Sequence, residues 1–331
     1  MVAAPFSPLG SLSVFESHDV TPHIGTRFPN KSVQLSSILA APNADELLKD
    51  LATLVSHRGV VFFSDQDITI DQQKALGSRL GVLSGKPATS TLHIHPISEN
   101  TPELTADVSV ITSEGGIART GYKNTIRASN GWHTDITFEP VPSDYSILKL
   151  HTIPPGNGYE AYDKLSPAYQ KFLEGLTAVH DASGFREHAQ KTGKAINEPR
   201  GSPENTGSHL TAVHPVIRTH PVTGYKSLFV NKVFTTRIVE LNEEESDDVL
   251  AYLARHVSEN HDMQVRYTWG KNDVAIWDNR CTFHTGTNDY EGLRQGKRVV
   301  SIGEKPYFDL NSKSRRQALW PRPETSEIPG K

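Results

Sequence analysis

Asp273-Val274-Ala275-Ile276-Trp277 and, some twenty residues later, Arg298-Val299-Val300-Ser301-Ile302 set the fold class of this chain. Both are short apolar or β-branched runs bounded by turn residues, as expected of buried strands. Segments of the same kind occur at Val108 to Ile111, Tyr145 to Leu150, Val213 to Thr219, Ser227 to Val230 and Met263 to Thr268. Short strands punctuated by Gly and Pro predict an antiparallel sandwich or barrel rather than a doubly wound sheet. Three helices interrupt them. Asn43-Ala44-Asp45-Glu46 reads as a capping box ahead of Leu47, Leu48, Leu51, Leu54 and Val55. Gly59 ends that helix, and Val60 to Phe63 reads as a buried strand. Thr69-Ile70-Asp71-Gln72 opens a second helix running to about Leu80. A third spans Asn242 to His256, with Glu243, Glu244 and Glu245 at its positive end and Val249, Leu250, Leu253 and Val257 as its buried stripe. The expected architecture is mainly β (α+β): a double-stranded β-helix, or jelly-roll, core with flanking helices. It is read as one domain over residues 1–331, with the core at about 20–310. Residues 1–15 and 312–331 are expected to fray or wrap the surface.

Composition narrows the function. The 331 residues carry 34 Lys and Arg against 38 Asp and Glu, a net charge of −4, so no polyanion-binding surface and no nucleic-acid partner is expected. No apolar run is long enough to span a bilayer, and the N-terminus lacks the basic and apolar regions of a secretory signal. The single Cys281 rules out an internal disulfide framework and a CxxC motif. A cytoplasmic protein without a membrane partner is expected, and a homo-oligomer is left open. No GxGxxG, GxxxxGK[ST] or GxSxG occurs, which argues against nucleotide binding and serine hydrolysis.

Chemistry concentrates in Gly131-Trp132-His133-Thr134-Asp135 and in Trp277-Asp278-Asn279-Arg280-Cys281-Thr282-Phe283-His284. At a strand end, His133 and Asp135 point to one face and can chelate one divalent ion. His284 would add a third ligand. Two imidazoles and one carboxylate bind one face of Fe(II) and leave the other open. Arg294 and Arg298, four residues apart, share a strand face, and a dicarboxylate cosubstrate would give a guanidinium an anionic partner. Each motif also has an ordinary reading. An HxD triplet can be a hydrogen-bonded surface pair, His284 a turn or core histidine, and the arginines solvated.

Taken together and in order, these stretches resemble the taurine dioxygenase (TauD/TfdA) family of Fe(II)/2-oxoglutarate-dependent oxygenases, from about residue 20 to 310. Arg58 to Phe63, Leu92-His93-Ile94-His95-Pro96 and His214 to Pro221 carry the resemblance, with Phe229-Val230-Asn231 and Phe234 to Val239. It implies His133, Asp135 and His284 as iron ligands and Arg294 as the partner of the distal carboxylate of 2-oxoglutarate. Asp278, Asn279 and Arg280 are assigned only to the turn that presents the third ligand. It implies oxidative decarboxylation of 2-oxoglutarate to succinate, with Fe(II) and O₂, coupled to oxidation of a C–H bond. It places His95, Phe234 and Arg298 around a small anionic substrate.

Three departures bear on that substrate and on the cosubstrate. Ser98 stands where taurine enzymes carry a Tyr, and Ser129 where they carry an Asn. These leave open an amino acid or other carboxylate in specialised metabolism as well as a sulfonate. Thr152-Ile153-Pro154-Pro155-Gly156-Asn157-Gly158 lacks the family's GGDT strand, read either as a true shortening of the loop or, in preference, as the trace of a mobile segment missing from the chain. A metal-dependent hydrolase and a non-catalytic iron-binding homologue are the competing readings.

Overall fold

The computed structural model describes residues 9–97, 105–112, 118–119, 127–149, 155–287 and 295–320. In chain order the first strands are His18–Asp19 (β1), Thr26–Phe28 (β2), Val60–Phe63 (β3), Val108–Thr112 (β4) and Ala118–Arg119 (β5). Then come Ser143–Lys149 (β6), Pro155–Asn157 (β7), Thr177–Asp181 (β8), Thr211–Pro215 (β9) and Ile217–Thr219 (β10). Lys226–Leu228 (β11), Thr235–Ile238 (β12), Val274–Asp278 (β13), Thr282–His284 (β14) and Gln295–Ile302 (β15) complete the set. Eight of them form one mixed sheet in the order β1-β2-β3-β13-β6-β15-β4-β5. Its inner pairs are antiparallel, and β2·β3 and β4·β5 are parallel. The three small sheets are β12-β8-β9, β10-β11 and β14-β7.

Period-two alternation gives the large sheet two faces. Val61, Phe63, Tyr145, Ile147, Val274 and Ile276 pack against helices Ala44–Arg58 (α1 here) and Ile70–Leu83 (α2). Val60, Phe62, Leu148, Ala275 and Trp277 form a separate cluster on the other face. That second face carries the candidate site.

Of the two caps expected from the sequence, at Asn43 and Thr69, only the second forms, and a third, not expected from the sequence, forms at Asn242. Thr69 and Gln72 make a reciprocal capping box at α2, and Asn242 and Glu245 make another at Glu243–Ser258 (α3). At α1 the Asn43 side chain caps no backbone N–H and instead reaches Glu46 Oε2 at 3.2 Å. A short helix, Leu35–Ala40, delivers the chain there and fixes its approach. Gly59 ends α1 at φ +74°, a conformation that L side chains rarely adopt, and β3 starts one residue later.

Met263 to Thr268 is not a strand. Met263, Val265 and Tyr267 are buried while Arg266 and Thr268 are exposed, so the alternation is real. It reports burial without ladder pairing, with Tyr267 stacked on Phe62 at 4.1 Å. The described parts of the termini also dock. Leu12 is fully buried, and Ser11 donates from N and Oγ to Asp50, both at 2.7 Å. Near the C-terminal end, Arg315 and Arg316 in Arg315–Leu319 donate to the buried Glu160 at 2.6 and 2.8 Å. The charged tail wraps because Glu160 is buried and needs cationic partners.

The buried histidines make the fold acid-sensitive. Burial and the nearby Arg218 push the His214 imidazole down to about 4. An unfolded imidazole titrates near 6.5. The native state therefore binds fewer protons between these values, and the stability contributed by neutral His214 is complete above about 6.5 and lost as pH falls toward 4. The urea midpoint should decline across that window, and His214→Gln should flatten the decline. An unchanged slope in the variant would exclude His214 as a source.

Candidate metal centre

The site is assembled by a clamped turn and one antiparallel bridge. Strand β13 runs into Asp278, whose carboxylate accepts from Arg280 N, Nε and Nη2 at 2.9, 2.8 and 2.7 Å. Ser56 Oγ, at 2.8 Å, and His220 Nε2, at 3.0 Å, complete its shell. The turn feeds β14, which ends on His284. There His133 and His284 exchange backbone hydrogen bonds of 2.9 and 2.8 Å, and their rings lie 4.2 Å apart. HxD thus sits on a single bridge, followed by a turn at Asp135 and Ile136, rather than at the end of a regular strand. Ile136 adopts φ +66°, strained for a β-branched residue, as the chain leaves Asp135.

Side-chain chemistry suits a cation. His133 Nδ1 lies 2.7 Å from Gly131 O, so this nitrogen donates and Nε2 keeps its lone pair. Asp135 Oδ1 lies 3.7 Å from His133 Nε2 and 3.7 Å from His284 Nε2. The three ligand atoms all fall within 4.8 Å of one another. Burial would raise the Asp135 carboxyl, but the Arg298 guanidinium, with His284 and His133, holds it well below the usual carboxylate range. Burial, then His133 and Arg298, push His284 down to about 3, so its imidazole is neutral and able to ligate. Two imidazoles and one carboxylate, on one side of a shared centre, fit a divalent ion with positions left for small molecules.

A second cluster, His220, Asp278 and Cys281, has ligand-like spacing but not the chemistry. Both Asp278 oxygens are occupied by the donors above. Burial, then Asp278, push the Cys281 thiol up to about 12, which keeps it protonated.

The remaining candidates fall as follows. Arg298 donates from Nη1 to Asp135 Oδ1 at 2.9 Å. The Phe234 ring stands 6.0 Å from that of His133. His95 lies 4.9 Å from Phe185 and is pushed down to about 3 by burial and then by Arg298. Arg294 and the Thr152 to Pro154 part of the short loop lie outside the described residues. The strand beside the metal set is nevertheless present: β7 pairs Pro155 with His284 and Asn157 with Thr282, so three residues close the sheet there. Phe138 and Phe185 extend the aromatic wall, at 5.1 and 6.3 Å from Phe234. Sequence reading missed them because nothing in their spacing separates a site wall from ordinary core.

The family model "Taurine catabolism dioxygenase TauD, TfdA family" matches residues 16–300. The chain belongs to this family. It is 45% identical to the alpha-ketoglutarate-dependent dioxygenase btcD of Neocamarosporium betae, over 96% of this chain and 99% of that protein. Identity to an alpha-ketoglutarate-dependent sulfonate dioxygenase of Saccharomyces cerevisiae is 33%, over 85% of this chain and 67% of the yeast protein. The crystal structure of a taurine dioxygenase from Burkholderia xenovorans superimposes with a TM-score of 0.67 at 27% identity, covering 88% of this chain and 91% of that one. The chain is an alpha-ketoglutarate-dependent dioxygenase, an enzyme class that uses Fe(II), 2-oxoglutarate (alpha-ketoglutarate) and O₂. Among the described residues no helix is long and apolar enough to cross a membrane.

Proposed function

We propose that His133, Asp135 and His284 hold one Fe(II), that Arg294 anchors the distal carboxylate of 2-oxoglutarate, and that the enzyme hydroxylates a C–H bond of a small anionic substrate. The observation that carries this is the convergence of two imidazole nitrogens and one carboxylate oxygen from positions 133, 135 and 284, all within 4.8 Å. Bound iron, with 2-oxoglutarate and O₂, supplies the oxidative decarboxylation to succinate and CO₂. The chain's own residues bind and orient. His133 is aimed by Gly131 O, and His284 by its bridge to His133. The three small sheets are read as the second half of a jelly-roll, which would put the metal set between layers.

Arg298 is assigned to the anionic group of the substrate, and His95, Phe234 and their aromatic neighbours to its body. The sulfonate and taurine in two of the relatives' names support an anionic substrate, and carboxylates, including amino acids, share that chemistry. A succinate screen across sulfonates, carboxylates and amino acids tests this. Substrate-dependent succinate in air, absent without 2-oxoglutarate, is expected. Turnover that survives without O₂ or 2-oxoglutarate would instead favour a hydrolase.

Arg298→Ala should lower kcat/KM for the primary substrate about 10–100-fold, the worth of one charge-assisted hydrogen bond. Substrate-independent 2-oxoglutarate decay should fall far less. Equal loss of both, in parallel succinate assays with and without substrate, would refute separate roles.

A further inference from the structure

The two oxygens of Asp135 face different surroundings. Oδ1 looks toward both imidazoles and Arg298, whereas Oδ2 turns away and accepts from Ser146 Oγ at 3.2 Å. We propose that Ser146 and Asn279 are positioning residues that fix the direction of this carboxylate and keep Asp135 a one-oxygen ligand. The inference rests on the reading of His133, Asp135 and His284 as the iron-binding set.

The direction of the hydrogen bonds follows from groups that can only donate or only accept. An indole N–H can only donate. Trp277 Nε1 donates to Asn279 Oδ1 at 3.0 Å, which settles which end of the amide is which. Asn279 Nδ2 then faces the other way, donating to Asp144 O at 3.2 Å and to Ser146 Oγ at 2.8 Å. With that donor on its oxygen, the Ser146 hydroxyl sends its single hydrogen to Asp135 Oδ2. Asn279 Oδ1 also accepts from Asp135 N at 3.4 Å, so one amide touches both backbone and side-chain supports of the ligand.

Sheet register brings the parts together. Trp277 and Ser146 are direct partners across β13 and β6, on the face opposite the helices. The relay is buried: Ser146 is 0%, Asn279 1% and Asp135 4% exposed. For Oδ2 to swing toward a metal, the buried Ser146 hydroxyl would have to lose its acceptor, which is costly. Holding Oδ2 back leaves a coordination position for the small molecules of the reaction. Partners of this kind typically tune metal affinity by one to two orders of magnitude.

The test is Co(II) titration of the metal-free protein by calorimetry and visible absorption, without 2-oxoglutarate or substrate. Wild type should bind one Co(II) per chain. Ser146→Ala should bind about 10–100-fold more weakly, with shifted Co(II) bands, and Ser146→Thr should restore both. If Ser146→Ala does not fold, Asn279→Ala replaces it, since loss of the Nδ2 donor frees the Ser146 hydroxyl to turn from Asp135 Oδ2, and weaker binding with shifted bands is again expected. Wild-type affinity and bands in the variant, with or without a loss of thermal stability, would assign these residues to packing and overturn the inference. A wild type that binds no Co(II) would remove the iron-binding reading and this inference with it.

Discussion

Asp135→Ala should abolish succinate formation while leaving the chain folded. The substitution deletes the only anionic ligand of the proposed set and also the partner of Arg298, 2.9 Å away. Two imidazoles beside an unpaired guanidinium would then face the ion, and the repulsion from the guanidinium adds to the lost ligand. The fold should tolerate the change better than the chemistry, because the arginine keeps some solvent contact, 13% of its side chain being exposed. Succinate should fall to the assay background at saturating Fe(II) and 2-oxoglutarate, with a circular dichroism spectrum like that of wild type. Succinate at the wild-type rate would remove Asp135 from the site.

Asp278→Ala should cost about 3–5 kcal/mol of stability, the usual effect of removing one partner from a buried ion pair. Arg280 is 1% and His220 0% exposed, and Asp278 accepts from both. Without it the guanidinium keeps Glu304 and Ser56 Oγ, each at 3.4 Å, neither of which replaces the lost buried charge, and the turn before His284 loses its clamp. Metal affinity should therefore fall together with the urea midpoint, although residue 278 lies outside the ligand set. Lys191→Ala supplies the contrast. Its partner Glu187 lies 3.6 Å away with both side chains largely exposed, and the effect should stay below about 0.5 kcal/mol. Equal midpoints for the two variants would contradict this account of the turn.

Much of this was legible in the sequence for identifiable reasons. Short apolar runs bounded by turn residues exposed β3, β13 and the second half of β15, because burial on both faces dictates which residue types survive there. The metal set was legible because HxD and a distant His carry chemistry that packing does not require. What stayed hidden depends on tertiary register. Asn279 reads as turn filler until Trp277 is seen opposite Ser146, and the polar Ser146 within Tyr145-Ser146-Ile147-Leu148 gains meaning only from the carboxylate it faces. Met263 to Thr268 misled because burial alternates there without a ladder, and periodicity cannot tell the two apart. Whether Arg315 and Arg316 fray or wrap could not be decided from the sequence, because what holds them is a buried Glu160 more than 150 residues away.

Anaerobic titration of the metal-free protein with Fe(II) at saturating 2-oxoglutarate, followed by visible absorption, tests the three-ligand site most directly. A weak charge-transfer band should grow to a break at one iron per chain in wild type and be missing in His284→Ala. A band of undiminished strength in His284→Ala, or no saturable band in wild type, would contradict the site described here.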